Sequence, residues 1–352
     1  MLLDDPARYT EFDMLGMGDH IDGLPTQIET AWQHAQTLPL PRVSEIANIV
    51  ICGMGGSAIG GSLLKSLLVD ECPVPIESVR DYDLPAYVGP NSLVIGASHS
   101  GNTEETLTTF RAAQARGAQL VSFSTGGELA AFASEAGGTH WKFSYDSQPR
   151  AAIGYSFMLP LALLTRLGLV RDYGEDVIAT VALLREQQGN LKRESLLTRN
   201  PAKRLAGQLM KRHVLLFASE PLAPVARRWT GQIAENGKAW AQYDVLPEFN
   251  HNAASGLEQP EFLADKTIAL FLESSLANPH NQTRLTLTRE LFMTAGYNTD
   301  SVQASGESRL AHMLSALHFG DYVSYYLAIA YGVDPTLIEA IAWFKEQLAK
   351  LS

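Results

Sequence analysis

Two loops rich in glycine and hydroxyl-bearing residues lie in the first third of the chain. One runs from Gly53 to Gly61 (GMGGSAIGG) and the other from Ser98 to Thr103 (SHSGNT). Each follows an apolar, strand-like run and precedes a helix-like one, which is how a parallel sheet presents backbone N–H groups to an anion. Glycine lets the backbone approach a ligand closely, and hydroxyl side chains add hydrogen-bond donors. This pair of loops therefore predicts a binding site for a phosphate monoester.

The size and composition of the chain limit what the rest of it can be. Its 352 residues are enough for two ordinary domains, each able to bury a core. Hydrophobic residues make up 46% and charged residues 18%, which is typical of a soluble globular protein. The formal net charge of -11 argues against binding to nucleic acid or to an anionic membrane, since both usually require a basic surface. A small phosphate ligand is compatible with this charge, because backbone dipoles can hold one anion locally.

Cysteine content and the apolar segments favour the cytoplasm. Cys52 and Cys72 are too few for a disulfide framework and suit a reducing compartment. Asp4 and Asp5 directly follow the first leucines, which is not the pattern of a signal peptide. The longest apolar stretch, residues 157–164, is too short to cross a bilayer. We therefore expect a cytoplasmic protein without a membrane partner.

Strand-like and helix-like segments alternate in the first half of the chain. Apolar runs typical of buried parallel strands cover residues 47–52, 76–79, 92–97 and 119–124. Helical patterns cover residues 57–68, 103–116, 153–167 and 174–188. This regular alternation predicts a doubly wound parallel sheet with helices on both faces.

The second half repeats this plan without the glycine-rich loops. Strands are predicted at residues 213–218, 266–272 and 297–302. Helices are predicted at residues 222–240, 279–295, 308–331 and 335–351. The polar stretch 191–200 is the predicted linker, so that the domains cover residues 1–190 and 201–352. Two similar α/β halves with one set of glycine loops suggest a duplicated fold with a single phosphate pocket.

Glu235 is the first candidate for chemistry. It shares one helix face with Arg228 and Gln232, because residues three or four apart lie on the same side of a helix. A carboxylate among small and apolar neighbours could serve as a general base if burial raises its pKa toward neutrality. A helical glutamate that pairs with an arginine or is solvated is the alternative interpretation.

Three further residues are candidates, each with its own alternative. His251 lies in the loop segment PEFNHN, where it could exchange a proton near neutral pH or only stabilise the loop. Arg150 precedes a helix and could bind an anion or a developing oxyanion, although a surface arginine is the more common case. Lys345 lies in the last predicted helix, where a solvated lysine is the simplest interpretation.

The residues predict neither a metal nor a cofactor. The nine histidines and two cysteines show no His-Glu-x-x-His or Cys-x-x-Cys spacing. The glycine spacing at residues 53–56 departs from the dinucleotide fingerprint, and no Gly-Lys-Ser/Thr follows as in a Walker A loop. The second loop, rich in serine and threonine, fits a sugar phosphate better.

Six segments together resemble the sugar isomerase (SIS) superfamily, and more closely its bifunctional phosphoglucose/phosphomannose isomerases. They occur in family order from residue 51 almost to the C-terminus: ICGMGGSAIGG, SHSGNTEETL, PRAAIGYS, QIAENGK, PEFNHN and HFGDYVSYYLAIAYGVDPTLIEAIAWFKEQL. The glycine and SGNT loops are typical of the superfamily, whereas the Glu-Asn and Asn-His-Asn segments and the C-terminal helix are typical of the bifunctional family. The resemblance implies an α/β fold with two SIS-type domains, each a doubly wound parallel sheet flanked by helices.

The resemblance also implies a role for each candidate residue. It assigns binding of the substrate phosphate to Gly55, Gly56, Ser57, Ser98, Ser100 and Thr103. Glu235 resembles the base that moves a proton between C2 and C1 through a cis-enediol, and Arg150 resembles the group that stabilises the enediolate. His251 resembles the ring-opening residue, which the other subunit of a homodimer contributes in this family. Lys345 resembles the residue that assists at the ring oxygen.

The implied activity is that of an aldose–ketose isomerase, which interconverts glucose 6-phosphate, and mannose 6-phosphate, with fructose 6-phosphate. Two departures from the family pattern bear on substrate range. His99 stands where tyrosine is expected, and Ala-Ala-Ser at 253–255 follows Asn-His-Asn, where the family often has glutamate and an apolar pair. Two alternatives remain: an isomerase of another sugar or amino-sugar phosphate, and a non-catalytic SIS protein that binds a phosphosugar. The presence of both Glu235 and His251 favours the enzyme.

Overall fold

Two parallel β-sheets form the framework of the protein. The structure is a computed structural model that describes residues 2–350. Strands β1 to β5 form the first sheet and cover Asn48–Cys52, Ile76–Val79, Ser92–Ala97, Gln119–Ser124 and Thr139–Lys142. Strands β6 to β9 form the second sheet and cover His213–Ala218, Ala241–Val245, Thr267–Glu273 and Asn298–Gln303. The predicted α/β class with two parallel sheets is confirmed.

The first sheet has the strand order β2–β1–β3–β4–β5, and every neighbouring pair is parallel. Successive residues of its central strands point to opposite faces, and both faces are buried. Ile51 and Ile95 belong to the apolar cluster on one face, whereas Val50 and Val94 belong to the cluster on the other. A strand buried on both faces has a continuous apolar sequence, which is why NIVIC predicted β1 to within one residue.

The second sheet has the strand order β7–β6–β8–β9 and is also parallel throughout. Strands β6, β8 and β9 agree with the predicted strands to within one residue. The sequence pattern predicts neither β5 nor β7. Both are edge strands with the polar sequences THWK and AQYDV, which lack the apolar run of a buried parallel strand.

α-Helices cover both faces of the sheets. Helices α1 to α7 cover Pro6–Phe12, Met17–Asp22, Leu24–Thr37, Gly55–Leu67, Glu104–Ala115, Gly127–Glu135 and Ile153–Arg166. Helices α8 to α14 cover Gly174–Leu191, Pro201–Leu209, Ala223–Glu235, Leu263–Lys266, Pro279–Thr294, Arg309–Tyr331 and Glu339–Ala349. Short 3₁₀ helices cover Leu2–Asp4, Pro149–Ala151, Glu248–His251 and Ala253–Leu257. Within residues 2–350, none of these helices has the length and apolar character needed to cross a membrane.

Two predicted helices have different ends in the structure. The helix predicted at 222–240 ends at Glu235, because Asn236 caps it and Lys238 adopts a left-handed φ of 51° before the chain enters β7. The helix predicted at 335–351 begins only at Glu339. Asp334 accepts a hydrogen bond from the backbone N–H of Thr336 (2.6 Å) and holds the preceding residues in a turn. Residue 351 lies outside the described residues. As a result, Glu235 lies at a helix end rather than in mid-helix.

One apolar core connects the two sheets. Nearly all of the 23 residues of α13 are buried. This helix packs against α2 and α8 from the first half of the chain and against α9 and α10 from the second. The same buried cluster includes Ile51 of the first sheet and Leu216 of the second. Helix α13 therefore fixes the position of one sheet relative to the other.

The predicted linker at residues 191–200 connects α8 with α9. Asn200 is fully buried, and its side-chain oxygen accepts a hydrogen bond from the backbone N–H of Lys203 (3.0 Å), which caps α9. The segment is thus packed against the protein at its C-terminal end. The division of the chain into residues 1–190 and 201–352 stays a prediction.

Candidate active site

The two glycine- and hydroxyl-rich loops meet at the carboxyl ends of neighbouring strands. One follows β1 and the other follows β3, and these strands pair in parallel with Cys52 opposite Gly96. The Ser57 hydroxyl accepts a hydrogen bond from the backbone N–H of His99 (3.2 Å), which joins the loops directly. The structure thus brings the six predicted phosphate-binding residues together at the edge where open α/β sheets bind ligands.

Gly55 and Gly56 open helix α4 and bring its backbone next to Arg150. Gly55 has a left-handed φ of +50°, a conformation that favours glycine. A Cβ on Gly56 would lie 2.7 Å from the carbonyl oxygen of Pro149 and 2.8 Å from the backbone nitrogen of Arg150. Within residues 2–350, no side chain caps the N-terminus of α4 with a hydrogen bond. The first turn of this helix is therefore suited to hold an anion.

The hydroxyl groups of the second loop occupy two kinds of position. Ser98 is buried; its hydroxyl lies 2.8 Å from that of Thr103 and accepts a hydrogen bond from the N–H of Gly101 (3.1 Å). Ser100 is exposed, and its hydroxyl oxygen accepts a hydrogen bond from the N–H of Asn102 (3.2 Å), so its own proton points elsewhere. Ser98 therefore shapes the loop, whereas Ser100 presents a donor at the surface.

Glu235 and Arg150 face each other in a cleft between the sheets. Glu235 is the last residue of α10, and its side chain is 27% exposed. Arg150 lies in the 3₁₀ helix before α7 and is 2% exposed. Its Nη1 atom lies 3.4 Å from Oε2 of Glu235, which is a long hydrogen bond. A partly enclosed carboxylate thus lies beside a buried cation.

The hydrogen bonds of Arg150 leave one of its nitrogens for the cleft. Nε donates to the side-chain oxygen of Asn236 (2.8 Å), and Nη2 donates to the carbonyls of Pro335 (2.7 Å) and Thr336 (2.8 Å). Burial lowers the pKa of Arg150, and the carboxylate of Glu235 opposes that shift. Nη1 points toward Glu235. It is therefore the donor that a negatively charged oxygen in the cleft would meet.

The cleft around this pair is positively charged and has a volume of about 250 Å³. The arginines that line it are Arg80, Arg150, Arg227 and Arg228. Burial, together with the nearby charge of Arg227, lowers the pKa of Arg80 to about 10. A larger groove of about 990 Å³ lies elsewhere and contains none of the candidate residues. The smaller cleft suits an anionic ligand, although the chain as a whole carries a net charge of -11.

Sequence reasoning missed two charged residues that support the cleft. Asp321 is buried on α13; Arg228 donates to its two carboxylate oxygens (3.1 and 2.7 Å) and Gln232 donates to one of them (3.0 Å). Burial raises the pKa of Asp321, and Arg228 opposes this shift. Arg80 follows β2 and donates to the carbonyl of Ala58 (3.1 Å). The sequence did contain a signal for Asp321: it is the one acidic residue in the largely apolar run FGDYVSYYLAIAY, which indicates a buried carboxylate with a partner.

His251 and Lys345 lie outside this cleft within one chain. His251 is exposed at the end of the 3₁₀ helix that follows β7, where buried Phe249 anchors the segment. Lys345 is exposed on α14. Neither residue lines the cleft that contains Glu235. One chain therefore brings together the phosphate-type loops, Arg150 and Glu235, but not the two remaining candidates.

Fold and site together define a protein of the SIS type, and comparisons with known proteins agree. The model of the bacterial phospho-glucose isomerase C-terminal SIS domain matches residues 198–348. A glucose-6-phosphate isomerase like protein from Thermus thermophilus has a crystal structure with a TM-score of 0.63 and 21% identity, over 95% of this chain and 97% of that one.

Two curated proteins are closer in sequence. The bifunctional phosphoglucose/phosphomannose isomerase of Caldicellulosiruptor bescii is 37% identical over 95% of this chain and 99% of that protein. The protein of the same name from Aquifex aeolicus is 34% identical over 86% of this chain and 90% of that protein. The chain belongs to the bifunctional phosphoglucose/phosphomannose isomerase family.

Proposed function

We propose that the protein interconverts glucose 6-phosphate and mannose 6-phosphate with fructose 6-phosphate. The observation that carries this proposal is the pairing of Glu235 with Arg150 in a positively charged cleft that Gly55 and Gly56 of the first loop also line. A carboxylate base, a guanidinium for developing negative charge and a site for a dianion are the groups that this isomerisation requires. The names of the relatives in Caldicellulosiruptor bescii and Aquifex aeolicus support the same reaction.

The two loops hold the substrate phosphate in this proposal. The hydroxyls of Ser57, Ser100 and Thr103 donate to its oxygens, while Ser98 keeps Thr103 in place through their 2.8 Å contact. The first turn of α4, opened by Gly55 and Gly56, adds backbone N–H groups and the positive end of a helix dipole. The arginines of the cleft attract the dianion before it binds.

Glu235 is the base of the proton transfer in this mechanism. In the open-chain aldose its carboxylate removes the proton on C2, and the electron pair of that bond forms the C1–C2 double bond while O1 takes up negative charge. Nη1 of Arg150 stabilises that oxygen. Glu235 then returns the proton to C1, and the proton of the C2 hydroxyl moves to O1, which leaves a carbonyl at C2. Glucose and mannose 6-phosphate differ only at C2, so both give the same enediol.

A second copy of the chain completes the site in this proposal. His251 from the second copy opens the sugar ring, and Lys345 assists at the ring oxygen. The separation of His251 from the cleft within one chain supports this arrangement. So does the exposed apolar surface on and near α14, where Leu337 is 50%, Trp343 61% and Phe344 58% exposed. We propose a cytoplasmic homodimer, and the free thiols of both cysteines accord with a reducing compartment.

The main alternative is an isomerase of another sugar or amino-sugar phosphate. Residues Ala253–Leu257 form a 3₁₀ helix directly after the His251 segment, so their unusual sequence can reshape the sugar pocket once His251 reaches it. A second alternative is a protein that binds a phosphosugar without turnover. The contact between Glu235 and Arg150 speaks against that alternative, because binding alone needs no base beside the oxyanion site.

A coupled assay of fructose 6-phosphate formation tests the proposal, with EDTA present and with each of the two hexose 6-phosphates as substrate. Turnover of both substrates is the expected result. Among residues 2–350 no three His, Cys, Asp or Glu side chains lie together as metal ligands would, and the metal-free mechanism stays a prediction that EDTA tests. Turnover of one substrate alone would make residues 253–255 the element that selects between epimers. Turnover of neither would overturn the proposal.

A further inference from the structure

We propose that Asn236 is a positioning residue that orients the guanidinium of Arg150 toward the reacting oxygen without reducing its charge. The inference rests on the proposed function, since it takes Arg150 to be the group that stabilises the enediolate. Asn236 directly follows Glu235 at the end of α10. Two adjacent residues therefore supply the base and the hydrogen-bond partner of Arg150.

Hydrogen bonds fix the orientation of the Asn236 amide. The side chain is fully buried; its oxygen accepts from Nε of Arg150 (2.8 Å) and its nitrogen donates to the hydroxyl of Ser324 (3.0 Å). Ser324 uses its single proton to donate to the carbonyl of Asp321 (2.8 Å). The Ser324 oxygen can therefore only accept from Asn236, which places the amide oxygen of Asn236 toward Arg150.

Hydrogen bonds from two of its nitrogens fix the orientation of the Arg150 guanidinium. Asn236 holds Nε, while the carbonyls of Pro335 and Thr336 hold Nη2. The backbone carbonyl of Arg150 is held as well, since it accepts a hydrogen bond from Arg228 (3.0 Å). Nη1 is the remaining nitrogen, and it faces Glu235 in the cleft. Without Asn236 the guanidinium loses the hydrogen bond at Nε and keeps those at Nη2.

The choice of a neutral amide has a chemical reason. An aspartate of the same shape would accept the same hydrogen bond from Arg150 but would add a second carboxylate beside Glu235. That carboxylate would offset the positive charge that the enediolate needs. Asparagine supplies an acceptor without a charge, so Arg150 is held and remains fully available to the enediolate.

Asn236→Ala tests the proposal, with Asn200→Ala as the matched control. Both asparagines are fully buried and hydrogen-bonded, but Asn200 lies at the cap of α9 and has no contact with Arg150. We expect Asn236→Ala to lower kcat by about tenfold to a hundredfold, the loss typical of one hydrogen bond to a charged group, with KM changed by less than about threefold. Asn200→Ala should lower the melting temperature and leave kcat close to that of the wild type.

A second readout separates positioning from a structural role. A phosphorylated aldonic acid has the substrate's phosphate and a carboxylate that mimics the enediolate. The affinity of the protein for this mimic should fall in Asn236→Ala by the same factor as kcat/KM. Both quantities depend on how Arg150 is placed against a negatively charged oxygen, that of the mimic or that of the enediolate. If Asn236→Ala does not fold, Ser324→Ala serves instead. It frees the amide to flip, and we expect about a threefold to tenfold loss of affinity for the mimic.

Unchanged kcat and unchanged affinity for the mimic in a folded variant would overturn the inference. So would an equal loss of kcat in Asn200→Ala, since that result would make the effect one of general stability. The proposed function is tested separately by turnover in the wild type. If the wild type isomerises both substrates and Asn236→Ala has the same kcat, the positioning role of Asn236 is refuted while the proposed function stands.

Discussion

Replacing Gly56 with alanine is expected to disturb the phosphate loop and the Arg150 segment together. The new methyl carbon would lie 2.7 Å from the carbonyl oxygen of Pro149, 2.8 Å from its carbonyl carbon and 2.8 Å from the nitrogen of Arg150. All three are backbone atoms, so no side chain can rotate away, and either α4 or the segment Pro149–Ala151 must move. Overpacking of this kind costs about 1–3 kcal/mol of folding free energy. The same movement displaces Arg150 and should lower kcat.

Urea unfolding and the coupled isomerase assay measure the two effects of Gly56→Ala. Gly207→Ala is the control, because Gly207 lies exposed in α9 and a Cβ there would meet no atom of the described residues within 4 Å, its own stretch of helix aside. That variant should be more stable than the wild type by about 0.5–1 kcal/mol. Gly55→Ala isolates the cost of a left-handed φ, about 1–2 kcal/mol, since its Cβ also meets nothing. A Gly56→Ala protein with wild-type stability and kcat would refute the argument that backbone contact couples the loop to Arg150.

Three further predictions concern the base, the phosphate and the core. Glu235→Gln should lower kcat by about 10²–10⁴-fold, the usual contribution of a general base, while calorimetry still detects substrate binding; loss of binding as well would give Glu235 a structural role. Ser100→Ala should raise KM by about tenfold or more by removing a donor to the dianion, and an unchanged KM would remove Ser100 from the phosphate site. Burial lowers the pKa of His318 to about 4, so the unfolded chain binds a proton there more readily and stability falls as pH drops from about 6.5 toward 4, by up to about 3 kcal/mol. His318→Gln should weaken this pH dependence in urea unfolding at pH 7 and pH 5, and equal slopes for both proteins would contradict it.

Local sequence pattern predicted the interior strands and two of the four edge strands, β2 and β9, but missed the edge strands β5 and β7. Buried parallel strands such as β3 and β6 leave a continuous apolar run, SLVIGA and HVLLFA, and their predicted limits match the structure. Strands β5 and β7 pair on one side only, so solvent-facing residues interrupt any such run. Helix ends were missed where a tertiary detail decides them, as at Lys238 with its left-handed φ.

The candidate site shows the same limit. The two loops were predicted individually, but their contact depends on β1 and β3 being neighbours, which is a property of strand order and not of either loop. The arrangement around Arg150 depends on partners far along the chain. Asn236 is 86 residues away and Pro335 is 185 residues away, so no local pattern could predict how the guanidinium is held.

The central position of α13 has a consequence for when activity can arise. The phosphate-type loops belong to strand–loop–helix units that are close in sequence and can form early. By contrast, Asp321 and Ser324, which hold Arg228 and Asn236 beside the Arg150–Glu235 pair, lie on α13, near the end of the chain. Activity therefore requires that α13 has been synthesised and has packed, although the phosphate-type loops are complete in the sequence by residue 103.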